Sequence, residues 1–170
     1  MLFDLLRQQV PIVLNALFLA SVLFLLGTGL SMIYGMLNFM NLAHAAFLVL
    51  GAYVAATTIS QVVTAVGGTL GTTALFVVLL VGLLLVVPAV VSAVGLVMER
   101  TLFRPLHGLE DDYQLLATFG VILMMEDGMK FIWGGQPVSA TTPSSILGGV
   151  DLLGATYPLW PLFVTVVTAA

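Results

Sequence analysis

The chain has 170 residues, 61% of them hydrophobic and only 7% charged, and its formal net charge is −4. An ordinary soluble domain carries about 25% charged residues, and a fold of this length has too little interior to hide so much apolar surface. An ordinary soluble domain is therefore excluded, and so is a basic nucleic-acid-binding face, because the chain has four Lys and Arg in all. It has no cysteine, which removes disulfides and thiolate metal sites.

From residue 8 to residue 98 there is no Asp, Glu, Lys or Arg. A helix crosses the hydrocarbon with about 20 apolar residues, so this stretch has room for three spans. The first is expected at about 10–34. Pro11 lies near its start, where a missing N–H costs least. The apolar run outlasts the roughly 7–15 residues of a signal-peptide core, so a cleaved leader is not expected. Gly27, Ser31 and Gly35 recur in four-residue steps. That is either chance in a glycine-rich chain or a stripe along which a second helix approaches closely in lipid.

The second segment is expected at 36–61, with almost no loop before it, and the third at 72–98, after Gly67, Gly68 and Gly71. Pro88, inside the third, must kink it or be accommodated by neighbours. Residues 99–113 then read as an aqueous loop, with two Arg, one His, one Pro and four acids. A fourth segment is expected at 114–133, a polar connection at 134–156, and a fifth apolar segment at 157–170, too short to span. The expected fold is all-α: one polytopic transmembrane helical bundle over 1–170, truncated after the start of its fifth span. Arg100 and Arg104 place 99–113 in the cytoplasm by the positive-inside rule, and 62–71 and 134–156, without Lys or Arg, outside. Three spans before a cytoplasmic loop put the N-terminus outside. Arg7 argues weakly against this, and a broken or re-entrant 36–61 reverses it.

Three clusters stand out. Asn38, Asn41 and His44 interrupt an apolar region. At about 100° per residue, Asn41, His44, Leu48, Gly51, Ala52 and Ala55 share roughly a 100° arc, with Asn38 beside it. Polar side chains at membrane depth need partners. They line a translocation path, mark a helix break that shapes one, or bond helices together. Glu126, Asp127 and Lys130 follow an apolar run of residues 115–125, too short to span alone. Glu126 and Lys130 can pair at i,i+4, with Trp133 in the interfacial aromatic belt. The alternative is an acid pair, Glu126 and Asp127, that meets the amino group of a substrate. Glu99, Arg100 and Arg104 either contact a partner at the cytoplasmic surface or only fix topology. His44 and His107 are isolated, and HExxH, GxSxG and GxxxxGK[ST] are absent. No catalytic or metal-binding set is expected, and the reading is a transport subunit rather than an enzyme.

These clusters, in this order, resemble the permease family of branched-chain amino acid ABC transporters, the LivH type. The residues that carry the resemblance are Gly29-Leu30-Ser31-Met32-Ile33-Tyr34-Gly35, Asn41-Leu42-Ala43-His44-Ala45-Ala46-Phe47 and Gly51-Ala52-Tyr53. Further along are Glu99, Arg100, Arg104, Pro105, Leu106 and Gly108, then residues 115–120 and Trp133-Gly134. The family usually has Gly where this chain has Ala45, and its members are considerably longer. The resemblance implies import of branched-chain or related amino acids across a bacterial inner membrane. It also implies a second permease subunit, two cytoplasmic ATPases that bind the ATP, and a periplasmic substrate-binding protein. Related permeases carry urea or short amides. A stand-alone secondary transporter or channel is the other transport reading, but no internal repeat of the kind it would need is visible. The expected path residues are Asn38, Asn41, His44, Gly51 and Tyr53.

Overall fold

A computed structural model describes residues 2–136, 138, 142–152 and 155–169. They fall into two compact units, Gly29–Ala140 and Met1–Thr28 with Thr141–Ala170. The chain is mostly helical: α1 (Leu2–Leu37), α2 (His44–Val66), α3 (Thr72–Met98), α4 (Asp111–Trp133), α5 (Thr142–Leu147) and α6 (Leu159–Ala169). Three stretches, Gln9–Met36, His44–Val66 and Thr72–Leu106, are long and apolar enough to cross a membrane. Large apolar side chains stay exposed on them, Leu84 at 70% and Leu23 at 58% among others. Such a surface is compatible with lipid, rather than water, as the surrounding solvent.

In the Gly29–Ala140 unit, α2 and α3 form an antiparallel hairpin. A Cβ on Gly51 would touch Val87 and Val91 at 3.7 Å, one on Gly82 would touch Thr58 at 3.6 Å, and one on Gly95 would touch Phe47 at 3.8 Å. The α3 helix runs unbroken through Pro88. Its C-terminus widens into a π-helical turn at Glu99–Phe103 and then a 3-10 turn at Arg104–Leu106. The segment expected as an aqueous loop is therefore mostly helical. Asp111 and Asp112 open α4, where carboxylates suit the positive end of the helix dipole. On α2 the stripe Ala46, Leu50 and Val54 is buried, and on α4 the stripe Gln114, Thr118, Val121, Met125 and Met129. Both recur in steps of three and four, one face of an α-helix. With Phe39, Ala43 and Phe103 their apolar members make the core. The α4 helix ends at Gly134, where φ is +83°, a backbone that glycine adopts freely.

Two expectations about boundaries change. The first helix runs on to Leu37, and the second starts only at His44. The gap lies at 38–43, inside the segment expected as the second span and at the polar interruption that Asn38, Asn41 and His44 mark. Phe39, Met40, Leu42 and Ala43 keep that gap apolar, so hydropathy alone does not reveal it. The helical expectation holds for most of the chain, but the fold is not purely α. Strands β1 (Gly149–Leu152) and β2 (Ala155–Pro158) pair antiparallel, with Val150 opposite Tyr157. Val150, Thr156 and Tyr157 suit a strand, and they fall where a loop and the start of a fifth span were expected. The buried Tyr157 hydroxyl donates to Asn15 Oδ1 at 2.9 Å. Residues 137, 139–141 and 153–154 of the expected external connection, and residue 170 of the expected fifth span, lie outside the described residues.

Candidate functional site

The turn at 38–43 is where the polar residues of the unit meet. Asn38 stops α1: its φ is +47° and its N–H bonds the Tyr34 carbonyl at 2.9 Å. Asparagine tolerates this left-handed position better than most residues. Phe39 then turns inward, buried, stacked on His107 with centroids 4.9 Å apart and tilted on Phe103 at 5.8 Å. The next residues are held by two side chains of α4. The Met40 N–H donates to Gln114 Oε1 at 2.9 Å, while Gln114 Nε2 donates to the Leu109 carbonyl at 2.9 Å. The Leu42 N–H donates to Thr118 Oγ1 at 3.3 Å. The Thr118 hydroxyl faces the carbonyls of Gln114 at 2.9 Å and Leu115 at 3.2 Å. Thr118 is completely buried and Gln114 nearly so. Between these clamps sits Asn41, 8% exposed, and its buried Oδ1 has no hydrogen-bond partner. An unmatched buried acceptor costs about 1–3 kcal/mol.

The expected path residues do not share one face. Asn41 lies in the turn, ahead of α2, so it is not on the helical arc that would join it to Gly51. Asn38 is exposed. Half-buried His44 opens α2 beside Gly29, where a Cβ would come within 2.8 Å of the imidazole Cε1. Gly51 faces α3, as the Val87 and Val91 contacts show. Tyr53 packs on Trp133 with centroids 5.3 Å apart, and Trp133 Nε1 donates to Thr57 Oγ1 at 2.7 Å. Trp133 is thus tied to α2 at the end of the unit opposite the turn.

Glu126 and Lys130 do pair, at 2.6 Å, with Asp127 at 4.0 Å from the same ammonium. Their side chains are exposed, Asp127 at 84%, so this is an open ion pair on α4 and not a buried acid pair. Glu99 is half-buried, Arg100 and Arg104 are exposed, and neither arginine pairs with an acid among the described residues. No group of three or more His, Cys, Asp or Glu among the described residues could hold a metal ion.

Sequence reasoning missed Gln114, Thr118, Phe39 and Phe103. A signal for two of them existed. Gln114 and Thr118 are one helical turn apart, and Thr118 is the one hydrogen-bonding side chain within 115–125. The aromatic pair carried none, because a phenylalanine in an apolar run looks like any other. In the other unit, a cleft of about 390 Å³ is lined by Leu17, Ala20, Ser21, Phe24, Thr165 and Thr168. Its three hydroxyls all bond the carbonyl four residues back, at 2.8 Å each, which leaves it without a free donor. The 38–43 turn is therefore the stronger candidate: a desolvated hydrogen-bonding site, flanked by His44 and by His107, which stacks on Phe39. No family model matches the chain, and neither a curated protein nor a solved structure matches it.

Proposed function

We propose that the chain is a membrane-embedded permease subunit of an ABC importer for branched-chain or related amino acids in a bacterial inner membrane. In this reading it is a polytopic helical bundle that works beside a second permease subunit and two cytoplasmic ATPases, which bind and hydrolyse the ATP. A periplasmic binding protein delivers the cargo. The observation that supports the reading is a convergence in space. Segments far apart in sequence, each part of the resemblance to that family, meet around one turn. Gly29 lies against His44, and Leu42 bonds Thr118. Phe39 stacks on Phe103 and His107, which sit within the Glu99–Gly108 segment.

The positive-inside rule supports a cytoplasmic side for the end that carries Arg100 and Arg104, where the ATPases would dock. A permease of the same type for urea or short amides is the alternative cargo reading.

The test is co-purification and reconstitution. The complex is expected to contain ATPase subunits, and its ATP hydrolysis should rise when the loaded binding protein is added. Uptake should require both. Uptake by vesicles that hold this chain alone, driven by an ion gradient, would instead establish a stand-alone secondary transporter. Competition among leucine, urea and acetamide for uptake assigns the cargo.

A further inference from the structure

The orphaned oxygen at the helix break carries an inference that rests on the permease reading and deepens it. Asn41 is more than nine-tenths buried, and its Oδ1 has no donor. The two α4 side chains that hold the turn bond other groups. Gln114 Nε2 donates to the Leu109 carbonyl, and the single proton of Thr118 faces the carbonyls of Gln114 and Leu115 and, at 3.5 Å, that of Met40. The turn is tied to α4 at defined points. It begins at the left-handed Asn38, and its backbone is held to α4 by the two N–H bonds from Met40 and Leu42. An unmatched acceptor inside such a clamp destabilises the closed arrangement and is relieved when a donor arrives. The group is a neutral carbonyl oxygen, and its buried neighbours Phe39, Ala43, Gln114 and Thr118 bring no positive charge. It suits an N–H donor and not an anion.

We propose that Asn41 is the acceptor that an N–H group of the cargo, an ammonium or a carboxamide, reaches when the 38–43 turn swings away from Gln114 and Thr118. The turn is then the gate at the end of the unit that carries Arg100 and Arg104, and Asn41 is its cargo-sensing group. The Phe39 stack joins this gate to the 99–108 segment.

The experiment uses the whole complex in proteoliposomes, with leucine as the ammonium cargo and acetamide as the carboxamide. Uptake by the unaltered complex tests the permease reading by itself. Where uptake is present, the variants decide the gate. Asn41→Leu is expected to lower uptake per ATP hydrolysed at least tenfold, while stimulation of the ATPase by the loaded binding protein persists. Asn41→Asp, which keeps an acceptor and adds a negative charge, should preserve ammonium uptake better than carboxamide uptake. The absence of native cysteine supplies a second measurement if the leucine variant does not assemble. Asn41→Cys should resist an ethylammonium methanethiosulfonate at rest, react at least tenfold faster during turnover, and be protected by cargo. Unchanged uptake per ATP in Asn41→Leu would mean that the oxygen holds a buried water only, and the proposal falls. It falls equally if the cysteine reacts at the same rate in every state.

Discussion

Asn38 and Gln114 act on the same turn by different physics. Asn38 accepts a left-handed backbone, with φ at +47°, that a β-branched residue resists. Asn38→Val should therefore cost about 1–3 kcal/mol of stability, while Asn38→Gly should be tolerated. Thermal unfolding in detergent checks both, and equal losses in the two variants would show that the backbone is not the reason. Gln114 satisfies two backbone groups at once, the Met40 N–H and the Leu109 carbonyl. Gln114→Ala leaves both without a partner in a buried place, at about 1–3 kcal/mol for each group that water cannot reach. Its unfolding midpoint should fall well below that of Leu116→Ala, whose side chain is 71% exposed on the same helix. Of the residues at this site, Asn38, Asn41 and His44 were legible in the sequence, since a polar side chain in apolar surroundings is conspicuous. What each one does was not legible. Asn38 is a helix stop, Asn41 is an unmatched acceptor and His44 is a neighbour of Gly29. Those roles depend on partners many residues away.

The helices are tied to one another at both ends of α4. Near its start, Gln114 and Thr118 hold the turn before α2, and at its end Trp133 holds α2 itself through Thr57. Lipid gives helices no hydrophobic reason to associate, so packing and hydrogen bonds such as these carry the pairing. A double-mutant cycle on Trp133→Phe and Thr57→Ala should give about 1 kcal/mol for each single change and a coupling of similar size, read from denaturation in detergent. Additive losses would mean that the two side chains do not act as a pair. The Glu126–Lys130 pair differs, because both side chains are more than half exposed. Lys130→Gln should leave the unfolding midpoint where it was, as expected of a solvent-screened ion pair. Element boundaries followed the same logic. Hydropathy located the long helices, yet ran the second across the gap at 38–43, because four of its six residues are apolar; only Asn38 and Asn41 marked the break. The hairpin at 149–158 was missed since a short strand pair leaves little trace in a polar, glycine-rich stretch.

For the molecule as a whole, orientation is the first thing to measure. The absence of native cysteine makes single-cysteine labelling clean. Arg104→Cys should react with an impermeant thiol reagent from the cytoplasmic face, and Thr69→Cys, in the turn between α2 and α3, from the opposite face. Labelling of both from one face would sink the hairpin topology in the membrane. Composition by itself pointed to the solvent: a stretch free of Asp, Glu, Lys and Arg from residue 8 to residue 98 suits lipid rather than water. Hydropathy and length determined three long apolar helices, because the hydrocarbon thickness sets how many residues a span needs. Only the tertiary structure decided that the break between α1 and α2 lies beside the Glu99–Gly108 segment, that Gln114 and Thr118 clamp it, and that Asn41 is left without a donor. Hydrogen-bond satisfaction is a property of pairs. A sequence shows the polar group, but whether its partner is present is settled only when the chain has folded.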